Sequence, residues 1–113
     1  MLWQEFPDHP NLLPAWFSAD EITSDTVVRK PLFSREGANI SILEHGTITC
    51  EADGPYGEEG YIFQQYTPLP RFDTNHTVIG SWLIDDQAAG ISIREDSSKI
   101  TQDMSRYLPH VIA

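Results

Sequence analysis

The sequence predicts a fold built mainly of antiparallel β-strands. Runs rich in β-branched and aromatic residues recur along the chain, turn-forming glycines, prolines and acids separate them, and sustained helical periodicity is lacking. We expect roughly five or six strands, paired largely as hairpins. The length of 113 residues predicts one domain at most.

The first 25 residues are rich in aromatic and aliphatic side chains but are interrupted by Pro7, Pro10 and Pro14. Prolines at this spacing prevent one long helix, because each lacks the backbone donor that a helix interior needs. We therefore expect short turns whose aromatic side chains pack against another surface.

A basic stretch, residues 29–39, stands out in an acidic chain. It contains three of the seven basic residues, namely Arg29, Lys30 and Arg35. The preceding β-branched run, residues 26–28, predicts a strand, and Pro31 is expected to end its pairing. Gly37 and Asn39 tolerate positive φ, so that backbone N–H groups can turn toward a small anion. The stretch predicts an anion-binding loop, and a loop that is merely solvated is the alternative.

Two hairpins and one further strand follow. Residues 40–43 and 47–50 flank a His45-Gly46 turn, and residues 78–84 and 88–94 are joined by residues 85–87. Between the hairpins, residues 51–60 have the composition of a loop, and residues 61–66 predict a strand that ends before Pro68. Residues 105–112 predict an irregular end.

Within the second hairpin, alternation places Ile91 and Ile93 on one face and Arg94 on the other. Among the paired acids of the chain, only Glu95-Asp96, beside Arg94, suggests a function, since the others occupy turns. An exposed Arg94 that pairs with Glu95 or Asp96 is the simpler interpretation.

Composition excludes several classes of function. The net charge of −10 argues against nucleic acid and anionic membrane surfaces as partners. The single cysteine, Cys50, allows no internal disulfide, and no apolar run is long enough for a signal peptide or membrane span, so we expect a cytoplasmic protein. The four histidines lack metal-binding spacing, and no Walker or GxGxxG motif is present.

Several longer motifs carry a resemblance to a known family. Residues 29–39, 54–65, 79–82 and 90–96 resemble, in the same order, the C-terminal part of the glutathionylspermidine synthase family. The likeness is closest to the short acid–amine ligases that lack an amidase domain, and it extends over nearly the whole chain. It implies an α+β fold, with residues 1–113 forming the C-terminal segment of an ATP-grasp domain that is incomplete relative to the family.

The resemblance also implies roles for particular residues. Arg94 would be catalytic and would lie near the transferred phosphoryl group. The residues expected to contact ATP are Lys30, Gly37, Gln64, Gln65, Tyr66, Thr67, Lys99, Ile100 and Thr101. The family's Mg²⁺ ligands and substrate pocket belong to a preceding region that this chain does not contain, so we expect Mg²⁺ to be held by residues outside it.

The resulting hypothesis is a fragment of an ATP-dependent carboxylate–amine ligase that is inactive alone. The alternatives are a non-catalytic domain that binds nucleotide or protein and an acidic, β-rich structural module. Its partners would be ATP and, in the complete enzyme, an acid and an amine, neither of which the sequence identifies. Apolar surface left exposed in a fragment would favour self-association.

Overall fold

The computed structural model describes residues 2–111 and divides the chain into two compact units, Met1–Thr67 and Pro68–Ala113. Each unit contains its own antiparallel sheet, five-stranded in the first and four-stranded in the second. The mainly antiparallel architecture predicted from the sequence is therefore confirmed. The chain forms two units where its length predicted one domain at most.

The first unit is organised around a central strand, β2. Its elements are α1 (Leu2–Glu5), β1 (Ala15–Trp16), a 3-10 helix (Ala19–Glu21), β2 (Thr26–Pro31), β3 (Ser41–Glu44), β4 (Thr47–Glu51) and β5 (Tyr61–Gln65). The strand order is β1-β5-β2-β3-β4. Val27 and Ile42, from adjacent strands, are the large buried side chains of its core. The central position of β2 places β5 on one side of it and β3 on the other.

The segment before β2 contains only short helical elements. The helix α1 has four residues, and the 3-10 helix begins after Ser18, whose Oγ accepts a hydrogen bond from the Asp20 N–H at 3.3 Å. The predicted short turns are confirmed. The expectation that the aromatic side chains pack against another surface holds for the half-buried Trp3 and Trp16, whereas Phe6 and Phe17 stay more than half exposed. Within residues 2–111, no helix combines the length and the apolar character needed to cross a membrane.

Strand β2 extends through Lys30 and Pro31, which corrects the prediction that Pro31 ends its pairing. Pro31 lies opposite Tyr61 of β5, and the next residue, Leu32, donates its N–H to the Gly60 carbonyl at 3.0 Å. Backbone groups alternate between the two edges of a strand, so the Pro31 nitrogen faces the β3 side, where pairing has already ended at Arg29 and Ser41. The missing donor therefore breaks no ladder bond.

The first predicted hairpin is confirmed. His45 and Gly46 both have positive φ, 48° and 79°, as a two-residue type I′ turn requires. The loop after β4 is irregular, as its glycines and proline predicted.

The second unit is a long hairpin with one short strand along each outer edge. Its strands are β6 (Arg71–Phe72), β7 (Asn75–Ile84), β8 (Gln87–Asp96) and β9 (Arg106–Leu108), in that order across the sheet. Asp85 and Asp86 form the turn with φ of 49° and 58°, so Gln87 belongs to the strand instead of the predicted loop. The end that was predicted to be irregular contains β9. With the two-residue strands β1 and β6, the described residues form nine strands, more than the number expected.

The outer half of this hairpin exposes apolar side chains. Strand β6 pairs only with Asn75 and His76, and β9 pairs only with residues 93–95, so the remainder is a two-stranded ribbon. Its large exposed side chains are Ile79, Trp82, Leu83, Ile84 and Ile91. A ribbon of two strands has both backbone edges unpaired, which makes it a surface suited to association.

Candidate functional site

A lysine and a glutamine on one face of the first sheet form the centre of the candidate site. Lys30 lies opposite Ile62, and Gln64 is two residues further along β5, so the two side chains are diagonal neighbours. The Lys30 Nζ donates a hydrogen bond to the Gln64 Oε1 at 2.7 Å. Because both residues belong to paired strands in the middle of the sheet, their separation is fixed by the strand register.

A cavity of about 430 Å³ lies over this pair within the first unit. The Lys30 amine and the Gln64 amide are polar groups in a mostly apolar lining, which is completed by Leu2, Trp3, Asn11, Leu12, Leu13, Ala15 and Ile62. A concave apolar site with a few convergent polar groups is the usual form of a small-molecule site. The cavity therefore offers a ligand apolar contact together with one cation in its wall.

The Lys30 ammonium is half-buried and has no ion-pair partner within residues 2–111. Burial lowers the pKa of Lys30 from its ordinary value of 10.5, because a desolvated ammonium is disfavoured. Gln64 is neutral, and the ion pairs formed within residues 2–111 do not include Lys30. Within residues 2–111 no carboxylate forms an ion pair with this ammonium, so an anionic ligand would gain from meeting it.

The other basic residues of the basic stretch do not join Lys30. Arg29 points to the opposite face of β2, where its Nη2 donates to the Ser41 Oγ at 3.0 Å and its guanidinium lies 4.9 Å from the centre of the Tyr61 ring. Arg35 is exposed and lies 3.8 Å from the Glu36 carboxylate. The three cations therefore form no single cluster, and Lys30 alone faces the cavity.

Gly37 lies in the loop between β2 and β3, as predicted. Its φ is 75°, and Glu36 and Asn39 also have positive φ, 57° and 55°. The loop is tied down by Asn39, whose Oδ1 accepts a hydrogen bond from the Tyr56 N–H at 2.7 Å. This backbone can turn N–H groups inward, and the contact of Gly37 with phosphate stays a prediction.

The predicted adenine segment, residues 64–67, has most of its backbone donors engaged in the sheet. The Gln65 N–H donates to the Pro14 carbonyl at 2.8 Å, and the Tyr66 N–H donates to the Thr26 carbonyl at 3.0 Å. In the part of the chain that the structure describes, the Thr67 N–H has no partner. The Thr67 N–H is therefore the backbone donor of this segment that is open to a ligand among the described residues, and contact of the segment with adenine stays a prediction.

Arg94 lies in the second unit, and its guanidinium is hydrogen-bonded to the loop between β8 and β9. Its Nη2 donates to the Gln102 carbonyl and, at 3.3 Å, to the Asp103 carbonyl, and the guanidinium lies 4.9 Å from the centre of the Tyr107 ring. The simpler interpretation, an ion pair with Glu95 or Asp96, holds only in part. Glu95 pairs with Arg106 at 2.7 Å, whereas the charge of Arg94 contributes to lowering the pKa of Asp96, although the two residues form no ion pair within 4.0 Å. The predicted catalytic role of Arg94 stays a prediction.

The three remaining predicted contacts, Lys99, Ile100 and Thr101, are consecutive in that loop. The Lys99 side chain is exposed, whereas Ile100 is only 5% exposed and its N–H donates to the Ser98 Oγ at 3.1 Å. The side chain of Ile100 thus belongs to the interior of the second unit. Lys99 and the half-buried Thr101 are the side chains that this segment can offer to a ligand.

Sequence reasoning missed two features of these units. The aliphatic lining of the Lys30 cavity comes from the proline-interrupted segment, whose partner strand cannot be identified from local pattern. A buried serine, Ser105, donates its hydroxyl to the Asp96 carboxylate, and the Ser98 N–H donates to the same carboxylate at 2.8 Å. An acid followed two residues later by a serine is a signal for this kind of turn, although it identifies only the nearer contact.

Metal ligands are not grouped in the described chain. Within residues 2–111, no set of three or more His, Cys, Asp or Glu side chains is arranged to hold a metal ion. The described residues therefore offer no group of carboxylates of the kind that binds Mg²⁺.

Comparison with known proteins identifies the family. The family model described as glutathionylspermidine synthase preATP-grasp matches residues 1–113, which is the whole chain. The resemblance carried by the sequence motifs is thereby confirmed.

Three relatives illustrate the similarity. The chain is 41% identical over 117 residues to a protein of Haemophilus influenzae assigned as an acid–amine ligase, covering 96% of this chain and 30% of that protein. It is 35% identical over 103 residues to trypanothione synthetase of Crithidia fasciculata, covering 89% of this chain and 16% of that protein. It is 27% identical over 114 residues to the bifunctional glutathionylspermidine synthetase/amidase of Escherichia coli, covering 99% of this chain and 18% of that protein. The chain therefore spans less than a third of the length of these relatives.

Proposed function

Because the chain belongs to the glutathionylspermidine synthase family, we propose that it supplies ATP-contacting elements of a ligase that joins a carboxylic acid to an amine. The observation that carries the proposal is the Lys30–Gln64 pair in its apolar cavity, in a chain whose relatives include an acid–amine ligase. The fold in which these elements act is an ATP-grasp fold, and the two sheets are its C-terminal part.

The proposed reaction has two balanced steps. A carboxylate oxygen of the acid attacks the γ-phosphorus of ATP, which forms an acyl phosphate and releases ADP. The amine nitrogen then attacks the acyl carbon, which expels inorganic phosphate and leaves an amide after loss of a proton. The protein contributes chiefly by positioning the reactants and by stabilising charge on the moving phosphoryl group.

Lys30 acts in the first unit as the cation that meets a phosphate of ATP. Its ammonium is half-buried, and its partner among the described residues is neutral, so a phosphate oxygen would restore the stabilisation that burial removes. The Gln64 amide holds the ammonium at the cavity wall. Gly37 lies in the phosphate loop, and residues 64–67 contact the adenine edge, with the Thr67 N–H as a donor.

The second unit contributes Arg94 and residues 99–101. The planar guanidinium of Arg94 suits a phosphoryl group in transfer, because its donors lie in a rigid fork. Lys99 provides an exposed ammonium for a phosphate or ribose oxygen, and Thr101 provides a hydroxyl.

The chain spans less than a third of the length of its relatives, and on the family resemblance we propose that the Mg²⁺ ligands and the acid and amine sites belong to residues outside it. When bound, Mg²⁺ offsets phosphate charge. On this proposal the chain by itself binds nucleotide but does not turn it over.

A non-catalytic binding domain is the second candidate, and the exposed ribbon of the second unit favours it. Trp82 is 59% exposed, and its neighbours Leu83 and Ile84 are exposed as well. Apolar surface of this kind is commonly covered by another protein or by a second copy. A binding domain would associate through this ribbon whether or not ATP is present.

Binding and turnover are separable by experiment. We expect ATP to shift the amide resonances of Lys30 and Gln64 in NMR spectra recorded with Mg²⁺, and AMP to shift them less because it lacks the outer phosphates. We expect no ADP release by the chain alone. Unshifted resonances at millimolar ATP would refute the nucleotide site. Mg²⁺-dependent ADP release from the purified chain would refute the proposal that the chain binds ATP without turning it over.

A further inference from the structure

The loop between β8 and β9, residues 97–105, contains the proposed nucleotide segment and is held at both ends by one carboxylate. Asp96 is the last residue of β8. Its Oδ1 accepts a hydrogen bond from the Ser98 N–H at 2.8 Å, at the start of the loop, and its Oδ2 accepts one from the Ser105 hydroxyl, at the end. Asp96 therefore closes the loop on itself.

The contacts continue from Asp96 into the middle of the loop. The Ser105 Oγ accepts a hydrogen bond from the Gln102 N–H at 2.8 Å, and the Ser98 Oγ accepts one from the Ile100 N–H at 3.1 Å. Ser105 is only 6% exposed. The Gln102 N–H is thus linked to the Asp96 carboxylate through the Ser105 hydroxyl, and the Ile100 N–H is linked to it through Ser98, whose own N–H donates to the carboxylate.

Arg94 supports the same loop from the same face of β8. Residues two apart in a strand share a face, so Arg94 and Asp96 point the same way. Arg94 donates to loop carbonyls at Gln102 and Asp103, whereas Asp96 accepts from loop N–H and hydroxyl groups. One residue engages the acceptors and the other the donors, and together they fix the backbone of the loop.

We propose that Asp96 is a positioning residue that holds Lys99 and Thr101 in place for ATP, an inference that rests on the proposed nucleotide function of this segment. Asp96 itself does not touch the nucleotide. Lys99 is exposed, and its neighbour Ile100 is anchored in the interior, so the loop presents Lys99 on a fixed backbone. Without Asp96 the segment would sample other conformations, and ATP binding would have to pay for its ordering.

The Asp96 carboxylate is also kept ionised by this arrangement. The Ser105 hydroxyl, followed by the Ser98 N–H, lowers the pKa of Asp96 below its ordinary value of 3.8. An asparagine in its place could still accept the Ser98 N–H, but it would offer an amide group, which is a hydrogen-bond donor, to Ser105.

The test uses the whole chain with Asp96→Ala, Asp96→Asn and Asp103→Asn. Asp103→Asn removes the same charge from the same loop, and only the backbone carbonyl of Asp103 makes a hydrogen bond among the described residues, so it is the matched control. We expect Asp96→Ala to weaken ATP binding about tenfold, the equivalent of one lost hydrogen bond to a charged group, with Asp96→Asn intermediate and Asp103→Asn unchanged. Amide hydrogen exchange at Ser98 and Gln102 should rise in the same order.

The outcomes separate this inference from the proposed function. ATP binding that is weakened by Lys30→Ala but unchanged by Asp96→Ala would overturn the inference and leave the proposed function standing. Absence of ATP binding by the wild-type chain would refute the proposed function and with it a nucleotide role for Asp96. Amide exchange at Ser98 and Gln102 that is unchanged in Asp96→Ala would overturn the positioning role in either case.

Discussion

Replacing Lys30 with methionine should separate ligand affinity from stability. Methionine has nearly the length of lysine and fills the same space along β2, but it carries no charge. The substitution removes an ammonium whose pKa is lowered by burial and whose hydrogen-bond partner among the described residues is the neutral Gln64. A residue that is retained for its charge should lose function on this change without losing the fold.

The expected loss of affinity follows from the charge-assisted contact. A hydrogen bond to a charged group contributes about 1.5–3 kcal/mol, so ATP binding should weaken by roughly ten- to a hundredfold. The free energy of unfolding should change by less than about 1 kcal/mol, because relief of the desolvated charge offsets the donor that Gln64 loses.

The pH dependence of stability provides a second signature. Since the folded-state pKa of Lys30 lies below its ordinary value of 10.5, the unfolded chain binds more protons than the folded chain between the two values. The stability conferred by this position therefore rises with pH through that window in the wild type. Lys30→Met should lack this rise.

Calorimetry with ATP and urea unfolding at several pH values are the measurements. Arg71→Met is the matched control, because it removes the same charge from an exposed residue of the second unit that has no proposed role. Unchanged ATP affinity in Lys30→Met would show that Lys30 does not contact the nucleotide. An equal loss in Arg71→Met would show that Lys30 acts only through net charge. A loss of stability well above 1 kcal/mol would show that the Lys30–Gln64 bond is structural.

Three further predictions address the fold around the site. Gly57→Ala should lower the free energy of unfolding in urea by about 2 kcal/mol or more, because the φ of Gly57 is 117° and the new Cβ would lie 2.2 Å from the Tyr61 hydroxyl. Gly90→Ala, with open space around the new Cβ, should change it by less than about 0.5 kcal/mol. Similar losses in the two variants would contradict this prediction. The ionised Asp96 carboxylate, whose folded pKa is lowered, should stabilise the chain above pH 3.8 and lose that contribution as the pH falls below it, so acid unfolding of Asp96→Asn should be the less steep; equal pH profiles would contradict the assignment. Trp82→Gln should reduce self-association in sedimentation experiments, since the indole is 59% exposed on the ribbon, and unchanged sedimentation would show that the ribbon is not the contact.

Local signals predicted the hairpins because the chemistry of a turn is local. His45-Gly46 and Asp85-Asp86 adopt the positive φ that a two-residue turn demands, and both lie where apolar runs meet polar residues. Strand ends were less predictable. Pro31 was expected to end pairing. Whether its missing donor matters depends on how far the neighbouring strand extends, and the residues around the proline do not determine that.

The candidate site depended on information that no local pattern contains. Lys30 and Gln64 were each identified through the family resemblance, but they are 34 positions apart in the sequence. Their contact at 2.7 Å follows from the register between β2 and β5. Register is fixed by the whole set of apolar residues on each face, since a slip of one residue would turn every side chain to the other face. The same applies to β9, whose three residues become a strand only because β8 offers an unpaired edge.

Alternation along a strand decides which charged residues can act together in each unit. In β2, Arg29 and Lys30 are consecutive and therefore face opposite sides, so Arg29 binds Ser41 while Lys30 reaches the cavity. In β8, Arg94 and Asp96 are two apart and therefore share a face, from which both hold the loop that follows. A count of basic residues along the basic stretch cannot make this distinction. Arg94 is already hydrogen-bonded to loop carbonyls, so its replacement in the complete ligase would disturb the loop as well as remove the guanidinium. The resulting loss of ligation therefore has to be compared with the loss in Asp96→Ala, which disturbs the loop and leaves the guanidinium in place.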